Sequence, residues 1–219
     1  SDPDQNDVLS TITTTLNGRY GTLTLDHVGH YSYQLNNVSV QQLAAGMQVI
    51  ESFSYQATDG KLTVNSGLNI SITGLNDAPE TQEDAVFVTV GEAVQTGNVL
   101  TNDRDVDQGT ILQTVAVTME GQYGVLSLST DGSYQYVQHS NLPDLIALSQ
   151  GDTLMETFSY QATDGITSVT GALNMIIAGR NDAPILAADA AILTEDSPTV
   201  QGNVLANDAD PDLKDQLLV

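Results

Sequence analysis

Cysteine and tryptophan are absent, and Lys and Arg together number only 5 in 219 residues. Without cysteine there is no disulfide to clamp the fold and no thiolate for catalysis or metal binding. A protein of this kind working outside the cell needs another clamp, and bound metal is the obvious substitute. Against so few cations stand 28 Asp plus Glu, a formal net charge of -23, which repels DNA, RNA and anionic membrane surfaces. No nucleic-acid partner is expected. Apolar runs fall short of the roughly 20 residues that span a bilayer, so membrane insertion is not expected either. No signal peptide opens the chain at Ser1, and the sequence reads as an internal excerpt. Histidine is limited to His27, His30 and His139; with no Cys, no Gly-x-Ser-x-Gly and no recurring His, the sequence predicts no enzyme. The His27-x-x-His30 pair has Thr130 and Ser133 as counterparts and reads as surface.

What is present is 40% hydrophobic, arranged in short runs of Val, Ile, Leu, Thr and Tyr broken by turns, which favours a folded chain over a disordered one. The chain also repeats itself. Glu51-Ser52-Phe53-Ser54-Tyr55-Gln56-Ala57-Thr58-Asp59-Gly60 returns from Glu156 to Gly165 with nine of ten residues unchanged, a shift of 105. Asn76-Asp77-Ala78-Pro79 returns as Asn181-Asp182-Ala183-Pro184, and Gly97-Asn98-Val99-Leu100 as Gly202-Asn203-Val204-Leu205, at the same shift. Tyr20-Gly21-Thr22-Leu23 matches Tyr123-Gly124-Val125-Leu126 at 103, so a loop absorbs two residues in between.

This period exceeds the roughly 20 to 50 residues of solenoid repeats and suits one domain per repeat. Cutting after each Asn-Asp-Ala-Pro junction leaves residues 1–79 as a repeat lacking its start, 80–184 as a complete one and 185–219 as the start of a third. Two frames remain open: a boundary near Asp2 and Asp105, or completion of the N-terminal piece by strand donation from the C-terminal piece, within a chain or between chains.

Within a repeat, Leu9–Leu16, Gly21–Asp26, His30–Leu35, Val49–Ala57 and Leu62–Thr73 read as strands. Tyr31 and Tyr33, Phe53 and Tyr55, Tyr134 and Tyr136, and Phe158 and Tyr160 sit two apart, which places each pair on one sheet face as core aromatics. Val40–Ala45 and Leu142–Leu148 suggest short helical turns. The predicted class is all-β: tandem Greek-key β-sandwich domains of the immunoglobulin-like type.

The acidic turns carry the chemistry. Asp103, Asp105 and Asp107 alternate in Asn102-Asp103-Arg104-Asp105-Val106-Asp107-Gln108-Gly109; Asp208, Asp210 and Asp212 repeat them, and Asp2 with Asp4 is the remainder of a third turn. Carboxylates on alternate residues of a bent segment can converge on Ca2+, which takes six to eight hard oxygens. Without a cation such crowding raises one another's pKa and destabilises the fold. The spacing is not an EF-hand, because Gly109 comes one residue late and Thr114 stands where the bidentate Glu belongs. Further ligands are expected from Asp59 and Asp164, from Asn76 and Asp77, from Asn181 and Asp182 in the next junction, and from Glu92 or Glu195. Asp26 and Asp131-Gly132 read as ordinary hairpin residues.

The segments Gly97–Asp107, Tyr123–Leu126, Asp131–Tyr134, Phe158–Gly165 and Asn181–Pro184 together resemble the VCBS repeat, one of the bacterial cadherin-like domains. That resemblance implies a cadherin-like sandwich and a module of a large, secreted, cell-surface RTX-type adhesin, in which calcium rigidifies an extended array for cell adhesion or biofilm formation. Position by position it supports Asp103, Asp105, Asp107, Asn76 and Asp77 as ligands. Gly91-Glu92 departs from the family's acidic pair, which Glu195-Asp196 keeps. The partners so implied are neighbouring repeats of the same chain. The competing reading is a ligand-binding module, in which the same sandwich grips a carbohydrate or a peptide through its loops or an open edge.

Overall fold

The computed structural model describes residues 8–92, 94–196 and 199–215. They group into two units. One holds the chain through Pro79 together with Arg104–Ile111 and Asp164–Thr167; the other holds Glu80–Asp103, Leu112–Thr163 and the chain from Ser168 onward.

In the first unit the strands are β1 (Ser10–Thr11), β2 (Thr14–Asn17), β3 (Gly21–Leu25), β4 (Tyr31–Leu35), β5 (Gln48–Thr58) and β6 (Thr63–Thr73), with one helical turn, α1 (Asn37–Val40), between β4 and β5. They form two three-stranded sheets, β1-β5-β6 and β2-β3-β4, all antiparallel. The run Leu9–Leu16, predicted as one strand, is two. Ile12 donates its last bond in one sheet to the Gln56 carbonyl at 3.2 Å, and Thr14 already pairs with Leu25 in the other. A sandwich edge strand that changes sheets keeps apolar residues inward on both sides of the crossing. The helical turn falls earlier than the sequence suggests. Asn36 Oδ1 accepts the Val38 N–H at 3.1 Å and starts the turn there, while Leu43 follows it as a buried plug.

The second unit holds β7 (Asp84–Thr89), β8 (Gln95–Asn98), β9 (Gln113–Thr114), β10 (Val117–Glu120), β11 (Gly124–Leu128), β12 (Ser133–Gln138), α2 (Pro143–Ile146), β13 (Thr153–Thr163) and β14 (Ser168–Ala178). Its sheets are four-stranded, β10-β11-β12-β8 and β7-β14-β13-β9. Only β7 runs parallel to its neighbour, pairing Asp84–Thr89 with Leu173–Ala178 of β14. Between the sheets lies a core of Val88, Val99, Leu126, Tyr134, Tyr136, Phe158, Tyr160, Leu173 and Met175. This is the immunoglobulin-like Greek-key β-sandwich the sequence predicts. The aromatic pairs of this unit point inward as alternation requires, but Tyr31 of the first unit is 56% exposed where its counterpart Tyr134 is 6% exposed. Among the described residues, no fourth strand lies beside β4 to cover it.

Each unit holds one glutamate by the same device. Glu51 accepts the Tyr20 N–H at 2.7 Å and the Tyr33 hydroxyl; Glu156 accepts the Tyr123 N–H at 3.0 Å and the Tyr136 hydroxyl. A Cβ at Gly18 or Gly121 would strike these carboxylates, so glycine there makes room for the bond.

Candidate metal centre

The turn after Asp103 is shaped by its own side chains. Asp107 donates its N–H to Asp105 Oδ1 at 2.8 Å, an Asx turn that bends the segment and aims Asp107 inward, where it is 4% exposed. Gln108 is tacked to the Gln42 carbonyl at 3.1 Å. Asp77 then donates its N–H to Asp107 Oδ2 at 3.0 Å, and the Gln41 amide lies 2.9 and 3.0 Å from the Asp77 carboxylate oxygens. The loop after β13 arrives separately. Asp164 Oδ1 accepts the Ile166 and Thr167 N–H groups, each at 2.6 Å, and Asp164 Oδ2 accepts the Asn76 amide at 2.7 Å. Asn76, Asp77, Asp105, Asp107 and Asp164 are thereby assembled within the first unit.

Two oxygens of this assembly, Asp105 Oδ2 and Asp107 Oδ1, are buried without a hydrogen-bond partner. Buried carboxylate oxygens are normally satisfied, so such orphans call for a partner such as a cation. Burial pushes the Asp105 carboxyl above its ordinary range, and the neighbouring charges of Asp107, Asp164 and Asp77 push it further. Asp164 shows the reverse: burial raises it, but bonds from Thr167, Asn76 and Ile166 outweigh that and hold it at about 2. It is therefore an anion at neutral pH, held by these donors.

At a shift of 105 the second unit repeats this geometry. Asp212 donates its N–H to Asp210 Oδ1 at 2.9 Å, Asp182 donates to Asp212 Oδ2 at 2.8 Å, and Leu213 is tacked to the Ala147 carbonyl at 3.4 Å. Asp212 is 2% exposed, and its Oδ1 is again buried and unpartnered. Asp210, Asp212 and Asp215 bring carboxylate oxygens within 4.8 Å of one another. Asp215 escaped the sequence reading because its counterpart in the preceding repeat is Thr110, so self-comparison gives it no signal. Asn181 bonds the Asp182 carbonyl through its amide, and Asp182 pairs with Arg180 at 3.3 Å.

The first aspartate of each triplet has different work. Asp103 accepts the Gln82 N–H at 2.8 Å and the Tyr160 hydroxyl at 2.8 Å, and Asp208 accepts the Ala187 N–H at 2.8 Å. Beside Asp103 stands Asp84, a residue the sequence reading passed over; burial and then the Asp103 charge push its carboxyl up to about 6. Asp59 accepts the Lys61 and Leu62 N–H groups within its own exposed turn, Glu92 accepts the Thr89 N–H at 3.3 Å, and Glu195 is exposed in a turn. Asp2 and Asp4 lie outside the described residues.

The two groups offer hard oxygen donors and neither imidazole nor thiolate, a set suited to calcium rather than to zinc or copper. Orphaned buried oxygens on Asp105, Asp107 and Asp212 are what a divalent cation would satisfy. The residues present therefore fit the ion.

Comparison with known proteins gives the following. The family model of the bacterial cadherin-like domain matches residues 76–179. The calcium-binding lectin RapA2 of Rhizobium johnstonii is 30% identical over 169 residues, 69% of this chain and 69% of the lectin. Among solved structures, the first two extracellular domains of human protocadherin-24 overlap 82% of this chain and 85% of their own at 14% identity and a TM-score of 0.49. An endo-fucoidan hydrolase of glycoside hydrolase family 107 overlaps 80% of this chain but 24% of its own, with 15% identity and a TM-score of 0.31.

Proposed function

We propose, for a chain that belongs to the bacterial cadherin-like domain family, that its repeats are calcium-stabilised, non-catalytic spacers of an extracellular bacterial adhesin. One observation carries the reading: the same buried aspartate oxygen stands without a partner in both repeats, on Asp107 and on Asp212. The homologous lectin, calcium-binding by name, supports the choice of ion.

The finer reading is a VCBS-type repeat of a large RTX-type surface protein serving cell attachment or biofilm formation. In chain order, the ligands of the first centre come from both sides of the Asn76–Pro79 junction. On this reading, calcium-clamped repeats in a row make a stiff, extended array. Export follows the same logic. A chain short of calcium keeps mutually repelling carboxylates and folds poorly, whereas calcium outside the cell binds only the folded form and stabilises it by mass action.

Calcium titration followed by calorimetry, with small-angle scattering in calcium and in chelator, tests this. The melting temperature rises and the particle lengthens with calcium if the reading holds. Equal melting and equal maximum dimension with no measurable ion uptake would overturn it.

A second reading, saccharide binding, is favoured by the relative's being a lectin and by a cavity of about 480 Å³ in the second unit, bordered by Glu92, Gln138, Asn141 and Arg180. A glycan array separates the two, since a spacer gives no selective hits.

A further inference from the structure

Every strand of the second unit's sheet β7-β14-β13-β9 lies inside residues 80–184. The outward positions of β7, β13 and β14 are Ala, Ser, Thr, Asn, Gln, Met, Ile and Phe, and none is charged. The acids of these strands, Asp84 and Glu156, turn inward to the hydroxyls of Tyr160 and Tyr136. A chain with a net charge of -23 thus keeps this broad face free of charge.

An apolar row crosses it. Phe87 pairs opposite Ile176, and Ile176 opposite Met155, so large side chains stand side by side on adjacent strands. Phe87 is 72% exposed and Met155 62% exposed. The fold does not demand this row, because at the matching place in the first unit Ser71 stands for Ile176. Beside the row the polar side chains satisfy one another. Thr157 donates its hydroxyl to Asn174 Oδ1 at 2.7 Å, and Gln161 donates its amide to Thr170 Oγ1 at 2.7 Å.

The charge pattern selects the partner. A basic partner finds no carboxylate on this face to pair with, and an acidic one finds no cation. A saccharide needs free donors and acceptors converging in a cleft, whereas these hydroxyls and amides are bonded to each other on an open sheet. What matches is another uncharged sheet face with an apolar row. A second copy of this chain supplies one, and such a face lets two polyanions meet without setting carboxylate against carboxylate.

We propose that two copies of this chain associate through this face of the second unit, each laying the row of Phe87, Ile176 and Met155 on the other's. The same patch serves on both sides, so the contact closes as a two-fold pair. Charge elsewhere on the chain opposes the approach and is screened by salt, with a Debye length of about 8 Å at physiological ionic strength, while apolar burial holds the pair together. Association therefore strengthens as ionic strength rises, the reverse of a contact made by opposite charges. The inference does not draw on calcium.

Sedimentation across protein concentration and salt, at one fixed calcium concentration, tests this. The parent passes from monomer to dimer, and does so at lower protein concentration in high salt. Phe87→Thr keeps a strand-forming residue at an exposed position; it weakens the pair by about tenfold or more, since the loss falls on both sides, and leaves the melting of dilute protein unchanged. No native cysteine interferes with cross-linking. A short bis-maleimide joins Ile176→Cys, in the middle of the row, to a second copy, but not Ser127→Cys, which is exposed on the opposite sheet. Monomer at every concentration and salt, a Phe87→Thr variant that pairs as tightly as the parent, equal cross-linking of the two cysteine variants, or association that weakens with salt overturns the proposal. Selective binding of a neutral glycan that is lost in Phe87→Thr overturns it too.

Discussion

Asp77 donates its N–H to Asp107 Oδ2 at 3.0 Å, which satisfies one carboxylate oxygen from the chain and leaves the other buried and alone. Asp182 and Asp212 repeat the relationship at 2.8 Å. A side chain held this way is aimed by the backbone but not neutralised by it, and the consequences for metal, pH and mutation follow from that division.

Asp107→Asn separates aiming from charge, because the amide oxygen still accepts from Asp77. At a hundredfold excess over its Kd, an ion bound to the native state adds about 2.7 kcal/mol per site. Most of that gain at the first centre is lost in Asp107→Asn. In chelator the sign reverses: the variant melts no lower than the parent, and higher if repulsion among Asp105, Asp107 and Asp77 dominates the metal-free fold. Paired melting curves with and without calcium check both halves.

The pH response follows from the two directions of shift. Asp105 is raised, so its contribution to metal-free stability is full below the ordinary value of 3.8 and fades as pH rises through its folded-state value. Asp164 is lowered to about 2, so its contribution is present above 3.8 and disappears only as pH falls toward 2. On the proposed reading calcium competes with the proton on Asp105, so its binding is coupled to deprotonation. The calcium-dependent rise in melting temperature therefore grows from pH 4 to pH 7, measured at fixed ionic strength.

Tyr160 bridges Asp103 at 2.8 Å, the Val99 carbonyl at 3.0 Å and Asp84 at 3.4 Å from within the core. Tyr160→Phe removes this single O–H donor and leaves one acceptor beside the core without it, at a cost of about 1–3 kcal/mol. Because this hydroxyl braces Asp103 rather than Asp105 or Asp107, the loss is the same with and without calcium. A loss that vanished on chelation would instead place Asp103 among the ligands.

Much of this was legible in the chain, and the rest has physical reasons for being hidden. A shift of 105 exposes the repeat, the junctions and the acidic turns, because those features depend on residue type at fixed spacing. Spacing alone cannot say that Asp103 turns to Tyr160 while Asp107 turns to Asp77, since that choice is made by strands far away in sequence. Asp84 stands outside the acidic turns, where spacing does not mark it, and Asp215 has no acidic repeat partner. Tyr31 alternates as a core residue should, yet burial depends on a neighbouring strand that alternation does not report.

Glu51 and Glu156 offer a last test, one that compares the units with each other. Glu156→Ala leaves the buried Tyr136 hydroxyl and the Tyr123 N–H without their acceptor, a loss of about 1–3 kcal/mol. Glu51→Ala does the same to Tyr33 and Tyr20, but Tyr33 is partly exposed and water can take the acceptor's place. The first unit therefore loses less than the second in dilute solution, as read from the two melting transitions.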